Sequence, residues 1–209
     1  WISPKAMRNG IIITVLFACL IGSSLLFYAG WELIIVGLLC VLFAFLYTTG
    51  PYPLSYNGWG DILVIVFFGF VPVGGTYYVQ ALTWTTDTTI ASLICGLLID
   101  TLLVVNNYRD READARSGKR TVIVRFGEKF GSYLYLMLGV TASLLCFWFL
   151  FEGHLYAALL PLLYLIPHFL TWKRMVRIHS GKKLNSILGE TSRNMLLMGV
   201  LLSIGFFLN

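Results

Sequence analysis

The sequence predicts an all-α, polytopic transmembrane helix bundle, and three observations support this fold class. First, 58% of the 209 residues are hydrophobic and only 12% are charged, whereas a soluble domain is about half apolar and about a quarter charged. Second, the apolar residues form seven runs that fit the roughly 20 residues a helix needs to cross a bilayer. Third, no run shows the alternating hydrophobicity of an outer-membrane β-barrel strand.

The seven predicted spans follow one another within a single domain, residues 1–209. Their approximate bounds are Ile11–Ala29, Leu33–Thr49, Ile62–Gln80, Thr89–Val105, Phe130–Phe151, Leu155–Trp172 and Asn194–Leu208. The first residues, from Trp1 onward, resemble the interior of a loop rather than the beginning of a protein chain. We therefore expect an N-terminal segment upstream of Trp1.

Lys and Arg are confined to alternate connections, and this predicts the orientation of the bundle. All 15 lie before span 1, between spans 4 and 5, or between spans 6 and 7, while the connections after spans 1, 3 and 5 carry only Glu32, Asp87 and Glu152. Because cytoplasmic loops retain Lys and Arg during insertion, the first residues are predicted to be cytoplasmic and the last exoplasmic. Insertion alone accounts for this pattern, so the net charge of +5 does not indicate nucleic-acid binding.

The connection after span 2, residues 47–61, lies on the basic side but contains no Lys or Arg. It contains three Gly, two Pro, one Trp and three Tyr residues, of which Tyr47 is the first. This composition is typical of an ordered loop at headgroup depth. Two interpretations are open. The loop is either an interfacial aromatic belt or an aromatic wall for a planar substrate, with Tyr47 best placed to contact it.

Spans 3 and 4 each contain an unusual residue. Pro72, followed by Gly74 and Gly75, predicts a kink that opens space in the bundle. Asp100 is an ionisable residue within an apolar run, where a charge is costly and usually faces a cavity or the bundle interior. It either lines a pocket or is protonated and hydrogen-bonded to a neighbouring helix.

The most polar stretch of the chain, residues 106–121, follows span 4. If the helix continues, Asn107, Asp110 and Asp114 lie at positions i, i+3 and i+7 of one face. Such an oxygen-rich patch suits Mg²⁺, which takes few carboxylates and completes its shell with water and phosphate oxygens. Gly118 is expected to end the helix, so that Lys119 and Arg120 supply mobile positive charge for a diphosphate.

A second interpretation of this stretch is a solvated loop. In that case Asp110, Glu112 and Asp114 would merely neutralise the three arginines among them, Arg109, Arg111 and Arg116.

The stretch N-N-Y-R-D-R-E-A-D-A-R-S-G-K-R-T at 106–121 resembles the second aspartate-rich motif of the UbiA superfamily of membrane prenyltransferases. The resemblance extends to Y-T-T-G-P-Y-P-L-S-Y-N-G-W-G-D at 47–61, V-F-F-G-F at 66–70 and V-R-F-G-E at 124–128. It is greatest for the branch that acts on 1,4-dihydroxy-2-naphthoate in menaquinone biosynthesis. Pro51, where relatives of the ubiquinone type commonly carry a basic residue, favours the same branch.

The resemblance implies nine helices, of which the seven spans match helices three to nine. It implies Mg²⁺ as cofactor, with Asp110 and Asp114 as metal ligands and Asn107 where relatives often have a further Asp. Lys119, Arg120 and Asn106 would then contact the polyprenyl diphosphate, and Tyr47 the aromatic acceptor. The family's first aspartate-rich motif, N-D-x-x-D-x-x-x-D, has no match in residues 1–209.

The reaction that the resemblance implies is transfer of a polyprenyl group to the naphthoate, with decarboxylation, giving demethylmenaquinone. The site would lie on the cytoplasmic side of a bacterial inner membrane. Other hypotheses are a different aromatic acceptor, such as 4-hydroxybenzoate or homogentisate, and a non-catalytic membrane carrier or subunit. A carrier would need charged or broken helices near the bilayer midplane, and only Asp100 and the region of Pro72 suggest that.

Overall fold

The structure, a computed structural model, describes residues 2–208. Trp1 and Asn209, the two ends of the predicted domain, lie outside the described residues, which form helices, turns and loops but no strand. The all-α fold class is therefore confirmed. The seven helices that we number here are α1 (Pro4–Ala29), α2 (Glu32–Thr48), α3 (Gly60–Ala81), α4 (Thr86–Arg116), α5 (Val122–Phe151), α6 (Leu155–Ile178) and α7 (Asn185–Phe207).

Each predicted span coincides with one of these helices, and five of them are long and apolar enough to cross a membrane: α1, α3, α4, α5 and α6. Helix α2 is apolar but has only 17 residues. Helix α7 has 23 residues, but polar residues such as Glu190 and Arg193 occupy its first half. A membrane crossing by α2 and by α7 stays a prediction.

Five helices extend a turn or more beyond the predicted spans into polar sequence, including α1, which begins at Pro4. Helix α4 extends to Arg116, α5 begins at Val122, α6 extends to Ile178 and α7 begins at Asn185. At a rise of about 1.5 Å per residue, the 31 residues of α4 exceed the roughly 30 Å bilayer core by more than two turns. Its polar last turns therefore project beyond the apolar layer.

Helix α4 is the centre of the bundle. It packs along α3 on one side and α5 on the other, and contacts α7 as well. Val104, Val105 and Tyr108 of α4 are almost completely buried, together with Tyr135 of α5 and Met198 of α7. By contrast, residues Pro4–Ser23 of α1 and the whole of α2 bury no side chain, as expected of apolar helices that face lipid.

Helices α3 and α4 approach so closely that their backbones touch. A Cβ atom on Gly69 would lie 2.7 Å from the Cα of Gly96, and one on Gly96 would lie 2.9 Å from the Cα of Ile65. Such small-residue contacts are typical of helix pairs in membranes. Pro72 does not end α3, because the segment Ile65–Gly74 is π-helical, a geometry that accommodates a missing backbone donor.

Helices α5 and α6 are joined by a buried aromatic stack. The His168 ring lies between the rings of Tyr135 and Tyr164, with centroid distances of 4.7 and 5.0 Å. His168 Nδ1 is 2.9 Å from the Tyr164 hydroxyl and Nε2 is 3.2 Å from the carbonyl oxygen of Leu136. Gly139 of α5 leaves the space that the imidazole occupies.

The connections between helices gather at two ends of the bundle. At one end, the Arg120 backbone N–H donates to the Tyr56 carbonyl at 2.7 Å, which ties the turn after α4 to the loop after α2. At the same end, Arg111 donates to the His179 carbonyl between α6 and α7 at 3.0 Å. At the other end, the Trp148 indole of α5 donates to Asp87 of α4 at 2.7 Å.

Candidate active site

The predicted polar face of α4 exists and borders a cavity. Asn107, Asp110 and Asp114 lie on the projecting part of the helix and all line a cavity of about 330 Å³ at the end of the bundle. The lining residues come from α2, the loop after it, the start of α3, α4 and the turn after α4: Tyr47, Thr48, Ser55, Tyr56, Gly58, Gly60, Asp61, Leu103, Asn106, Asn107, Asp110, Asp114, Ser117, Lys119 and Thr121.

Asp110 is held by its neighbour Arg109. The guanidinium donates to both carboxylate oxygens, with Nε to Oδ1 at 2.7 Å and Nη2 to Oδ2 at 2.6 Å. These hydrogen bonds hold the pKa of Asp110, which lies beyond the bilayer core, below its usual value. The third Arg109 contact, from Nη1 to Asn185 Oδ1 at 2.9 Å, connects the site to the start of α7.

Asp114 is more enclosed and is paired with a lysine. Its side chain is 14% exposed, against 45% for Asp110, and Lys119 Nζ lies 3.4 Å from Oδ2. Gly118 adopts a left-handed conformation with φ of 78°, which ends the helix as predicted and folds the chain back. The Lys119 backbone N–H then donates to the Asp114 carbonyl at 2.9 Å, so the lysine is fixed beside the acidic face.

The remaining charges in this stretch point elsewhere. Arg111 donates to Glu128 of α5 at 2.9 Å, and Glu112 is exposed and does not line the cavity. The second interpretation was that the acids of this stretch merely neutralise its three arginines. Among the ion pairs of the described residues, Arg109–Asp110 fits that interpretation, whereas Arg111 pairs with Glu128 outside the stretch. The other two acids of the stretch have different environments: Glu112 is exposed, and Asp114 is paired with Lys119.

The loop after α2 forms the opposite wall. Tyr47 and Tyr56 line the cavity, and the Ser55 hydroxyl donates to the Tyr47 carbonyl at 2.6 Å. Arg125 of α5 fixes the loop by donating to the Asn57 carbonyl at 2.8 Å. The aromatic side chains of the loop itself, Tyr52, Tyr56 and Trp59, are all exposed, and both interpretations of the loop stay predictions.

Six of the seven residues predicted for the site line this cavity: Tyr47, Asn106, Asn107, Asp110, Asp114 and Lys119. The exception is Arg120, whose side chain is exposed and whose backbone instead bonds to Tyr56 and Arg125. Asp61 lines the cavity but was not predicted. Its position directly after the aromatic Gly-Trp-Gly turn was the available signal.

The residues present fit a magnesium ion. Among residues 2–208 no three His, Cys, Asp or Glu side chains lie close enough to share a metal, so a cage made only of protein ligands is not available. Asp110, Asp114 and the amide oxygen of Asn107 instead offer a partial set of oxygen ligands on one wall of a polar cavity. Mg²⁺ is usually held in this way, by one or two carboxylates with water and phosphate oxygens.

Comparison with known proteins identifies the family. The model of the UbiA prenyltransferase family matches residues 1–205. The chain belongs to this family. The family resemblance seen at residues 106–121 therefore extends over nearly the whole chain, and together with the five apolar helices it makes the chain an integral membrane protein.

Several similar curated proteins carry the name 1,4-dihydroxy-2-naphthoate octaprenyltransferase. The chain is 33% identical to the protein of that name from Escherichia coli, over 100% of the chain and 70% of the relative. Identity is also 33% to the Haemophilus influenzae protein, over 99% and 70% respectively. For the Mycobacterium tuberculosis protein it is 37% over 69% of the chain and 50% of the relative. No solved structure is significantly similar to the chain.

Proposed function

We propose that the chain is the catalytic domain of a membrane prenyltransferase that transfers a polyprenyl group from its diphosphate to 1,4-dihydroxy-2-naphthoate in menaquinone biosynthesis. The observation that carries this proposal is the cavity in which Asp110, Asp114 and Lys119 face Tyr47 at the rim of an apolar bundle. The relatives' names supply the acceptor.

The polar wall suits a diphosphate. Lys119 lies beside the cavity and can move from Asp114 to a phosphate oxygen without a change in the backbone. Asp110, Asp114 and Asn107 would hold Mg²⁺, which neutralises the charge that develops on a leaving diphosphate. With its charge balanced in this way, the diphosphate leaves with the bonding electron pair and the allylic C–O bond breaks.

The other wall suits the aromatic acceptor. Tyr47 and Tyr56 give the cavity an aromatic side on which a planar ring can pack. The electron-rich ring attacks the allylic carbon and then loses its carboxyl group as CO₂, which yields demethylmenaquinone in reduced form. The loop after α2 covers one side of the cavity, and exclusion of water there would protect the allylic cation.

The bilayer receives the polyprenyl chain. Below the polar wall the cavity reaches Leu103, and the surrounding helices α1 to α4 present apolar side chains to lipid. A long isoprenoid tail can therefore lie along the bundle while its diphosphate stays at the rim. We place this rim on the cytoplasmic side of a bacterial inner membrane, because 13 of the 15 Lys and Arg residues lie in the two connections at this end.

The proposal is tested with membranes that contain the protein expressed from its complete reading frame. They are incubated with Mg²⁺, labelled polyprenyl diphosphate and 1,4-dihydroxy-2-naphthoate, and the lipid product is identified by mass spectrometry. We expect demethylmenaquinol, and we expect Asp110→Ala and Asp114→Ala each to lower the rate at least 100-fold, since both remove metal and diphosphate stabilisation. Chelation of Mg²⁺ should abolish product formation.

Glu112→Ala is the matched control, because Glu112 lies on the same helix between the two aspartates but does not line the cavity. It should keep near-wild-type activity. Parallel reactions with 4-hydroxybenzoate and homogentisate test the acceptor. If only one of these two compounds gives product, that compound is the acceptor and 1,4-dihydroxy-2-naphthoate is not. If no acceptor gives product, the enzyme proposal is refuted.

A further inference from the structure

Two carboxyl groups near the cavity, one partly buried and one buried, are not used by the proposed diphosphate site. Asp61 lies in the first turn of α3 and lines the cavity, while Asp100 of α4 is 1% exposed. In each, the Oδ1 atom is buried and has no hydrogen-bond partner among the described residues. Asp100 does not itself line the cavity, and its protonation stays a prediction.

The packing of α3 on α4 brings the two groups together. The backbones touch where Gly96 of α4 meets Ile65 of α3. Asp61 lies one turn before Ile65, whose backbone N–H donates to the Asp61 carbonyl, and Asp100 lies one turn after Gly96. Because the two helices run in opposite directions, both displacements point toward the cavity, so Asp61 and Asp100 lie at the same level of the helix pair. They interact electrostatically with each other and with Tyr47.

Such a pair needs a hydrogen-bond donor. A buried carboxyl oxygen without a partner costs free energy, and two neighbouring carboxylates in an apolar bundle repel each other. Among the described residues, the basic side chain that lines the cavity, Lys119, is engaged by Asp114, and nearby Arg109 is engaged by Asp110. A hydroxyl group of a molecule that enters the cavity can therefore supply a donor to Asp61, which borders the cavity.

We propose that Asp61, supported by Asp100, binds a ring hydroxyl of the aromatic acceptor and takes its proton during prenyl transfer. This inference rests on the proposed function for the identity of the acceptor. Asp61 is the catalytic residue of the pair, because it borders the cavity. Asp100 is a positioning residue that acts through Asp61.

In this scheme Asp61 first accepts a proton from the ring hydroxyl and later returns it to the same oxygen. When the ring carbon that bears the carboxylate bonds to the allylic carbon, the C–O bond to diphosphate breaks and its electron pair leaves with diphosphate. The adjacent hydroxyl then becomes a carbonyl as its proton passes to the Asp61 carboxylate. Loss of CO₂ leaves the C–C electron pair to restore the aromatic ring, and the oxygen takes the proton back from Asp61.

The experiment measures acceptor binding and turnover separately, with the protein from its complete reading frame solubilised in detergent. Equilibrium binding of 1,4-dihydroxy-2-naphthoate and of its 1,4-dimethoxy analogue is followed by quenching of tryptophan fluorescence. We expect the wild-type protein to prefer the dihydroxy compound by about 10-fold to 100-fold, the range for a hydrogen bond to a charged group. Asp61→Asn should lose most of this preference, and Asp61→Glu should retain part of it.

Turnover is measured on the same variants. Asp61→Asn should lower kcat about 100-fold or more, as expected for removal of a general base. Asp100→Asn should lower kcat by a smaller factor, about 10-fold, and reduce the hydroxyl preference in proportion. Asp87→Asn is the matched control, because Asp87 lies on α4 at the opposite end, bonded to Trp148, and should retain both kcat and preference.

The outcomes separate this inference from the proposed function. If Asp61→Asn keeps the hydroxyl preference and kcat of the wild-type protein, the inference is wrong and the prenyltransferase proposal is unaffected. If the wild-type protein makes no product but binds the dihydroxy compound with a preference that Asp61→Asn loses, the function proposal fails and the hydroxyl site stands. If Asp61→Asn and Asp61→Glu are equally impaired in the preference, the carboxyl group has only a structural role and the inference fails.

Discussion

Lys119 illustrates how a single turn places a charge in the cavity. The left-handed Gly118 folds the chain back so that the Lys119 ammonium lies 3.4 Å from Asp114. With a diphosphate bound, the lysine has a more highly charged partner within reach. We therefore predict that Lys119→Ala raises KM for the polyprenyl diphosphate about 10-fold, equivalent to about 1.4 kcal/mol, and changes KM for the aromatic acceptor little. Initial rates with each substrate varied in turn measure both constants.

Arg116→Ala provides the control for Lys119→Ala. Arg116 is an exposed basic residue on the same turn and does not line the cavity, so its removal tests for a general effect of positive charge. An equal rise in KM in both variants would indicate such a general effect and would contradict a specific role for Lys119.

Gly139 is required for helix packing rather than for the chemistry of the site. A Cβ atom there would overlap the imidazole of His168, which is fixed between Tyr135 and Tyr164. We predict that Gly139→Ala lowers the free energy of unfolding by about 1–3 kcal/mol, the usual effect of overpacking a core. Thermal unfolding in detergent measures this, with Gly199→Ala as the control because nothing lies within 4 Å of its added Cβ. Equal melting temperatures for the two variants would contradict the prediction.

At this scale helical periodicity predicts side chains that share one helix, the family motifs add Tyr47 from another helix, and Asp61 is missed. Asn107, Asp110 and Asp114 follow from helical periodicity alone. Arg120 was expected in the cavity from its position in the motif, but the bond from its backbone to Tyr56 turns the side chain outward. Asp61 could not be assigned, because its role depends on how α3 crosses α4, which the local sequence does not determine.

At the scale of elements, the contact between α3 and α4 sets the geometry of the cavity floor. A Cβ on Gly69 would lie 2.5 Å from the Ser92 carbonyl oxygen, an approach that requires the helices to separate. We predict that Gly69→Ala destabilises the protein by about 1–3 kcal/mol and lowers prenyl transfer, because it shifts Asp61 relative to Asp110. Unfolding in detergent and the product assay measure the two effects.

Gly75→Ala is the control on the same helix, since its added Cβ would have no neighbour within 4 Å. Gly69→Ala with unchanged stability and activity would mean that α3 moves away from α4 without consequence. The close crossing would then have no role in positioning the site.

The sequence predicted that the seven helices exist, but it did not predict their local geometry or the fold of the loop after α2. The seven helices follow from hydropathy, since each apolar run must satisfy its backbone hydrogen bonds internally in lipid. The π-helical segment Ile65–Gly74 did not follow, because Pro72 alone predicts a kink. The fold of the loop after α2 was equally hidden, because Arg125 of α5 fixes it from a distant part of the sequence.

At the scale of the whole molecule, the structure separates a basic end from an acidic end. The connections that meet at the cavity, 117–121 and 179–184, belong to the two segments that hold 13 of the 15 Lys and Arg residues. The opposite end carries Asp87, bonded to Trp148, and Glu152. This separation would link insertion to function, because the charges that are predicted to keep one end cytoplasmic also surround the proposed diphosphate site.

The orientation is tested with single cysteines in a protein whose own four cysteines are replaced by alanine or serine. Ser117→Cys marks the cavity end and Glu152→Cys the opposite end, and both positions are exposed. In intact cells we expect a membrane-impermeant maleimide to label Glu152→Cys and not Ser117→Cys, and in inverted vesicles we expect the reverse. Labelling of Ser117→Cys from outside the cell would place the diphosphate site on the exoplasmic face. That result would contradict the orientation that the distribution of Lys and Arg predicts, and with it the proposed cytoplasmic site.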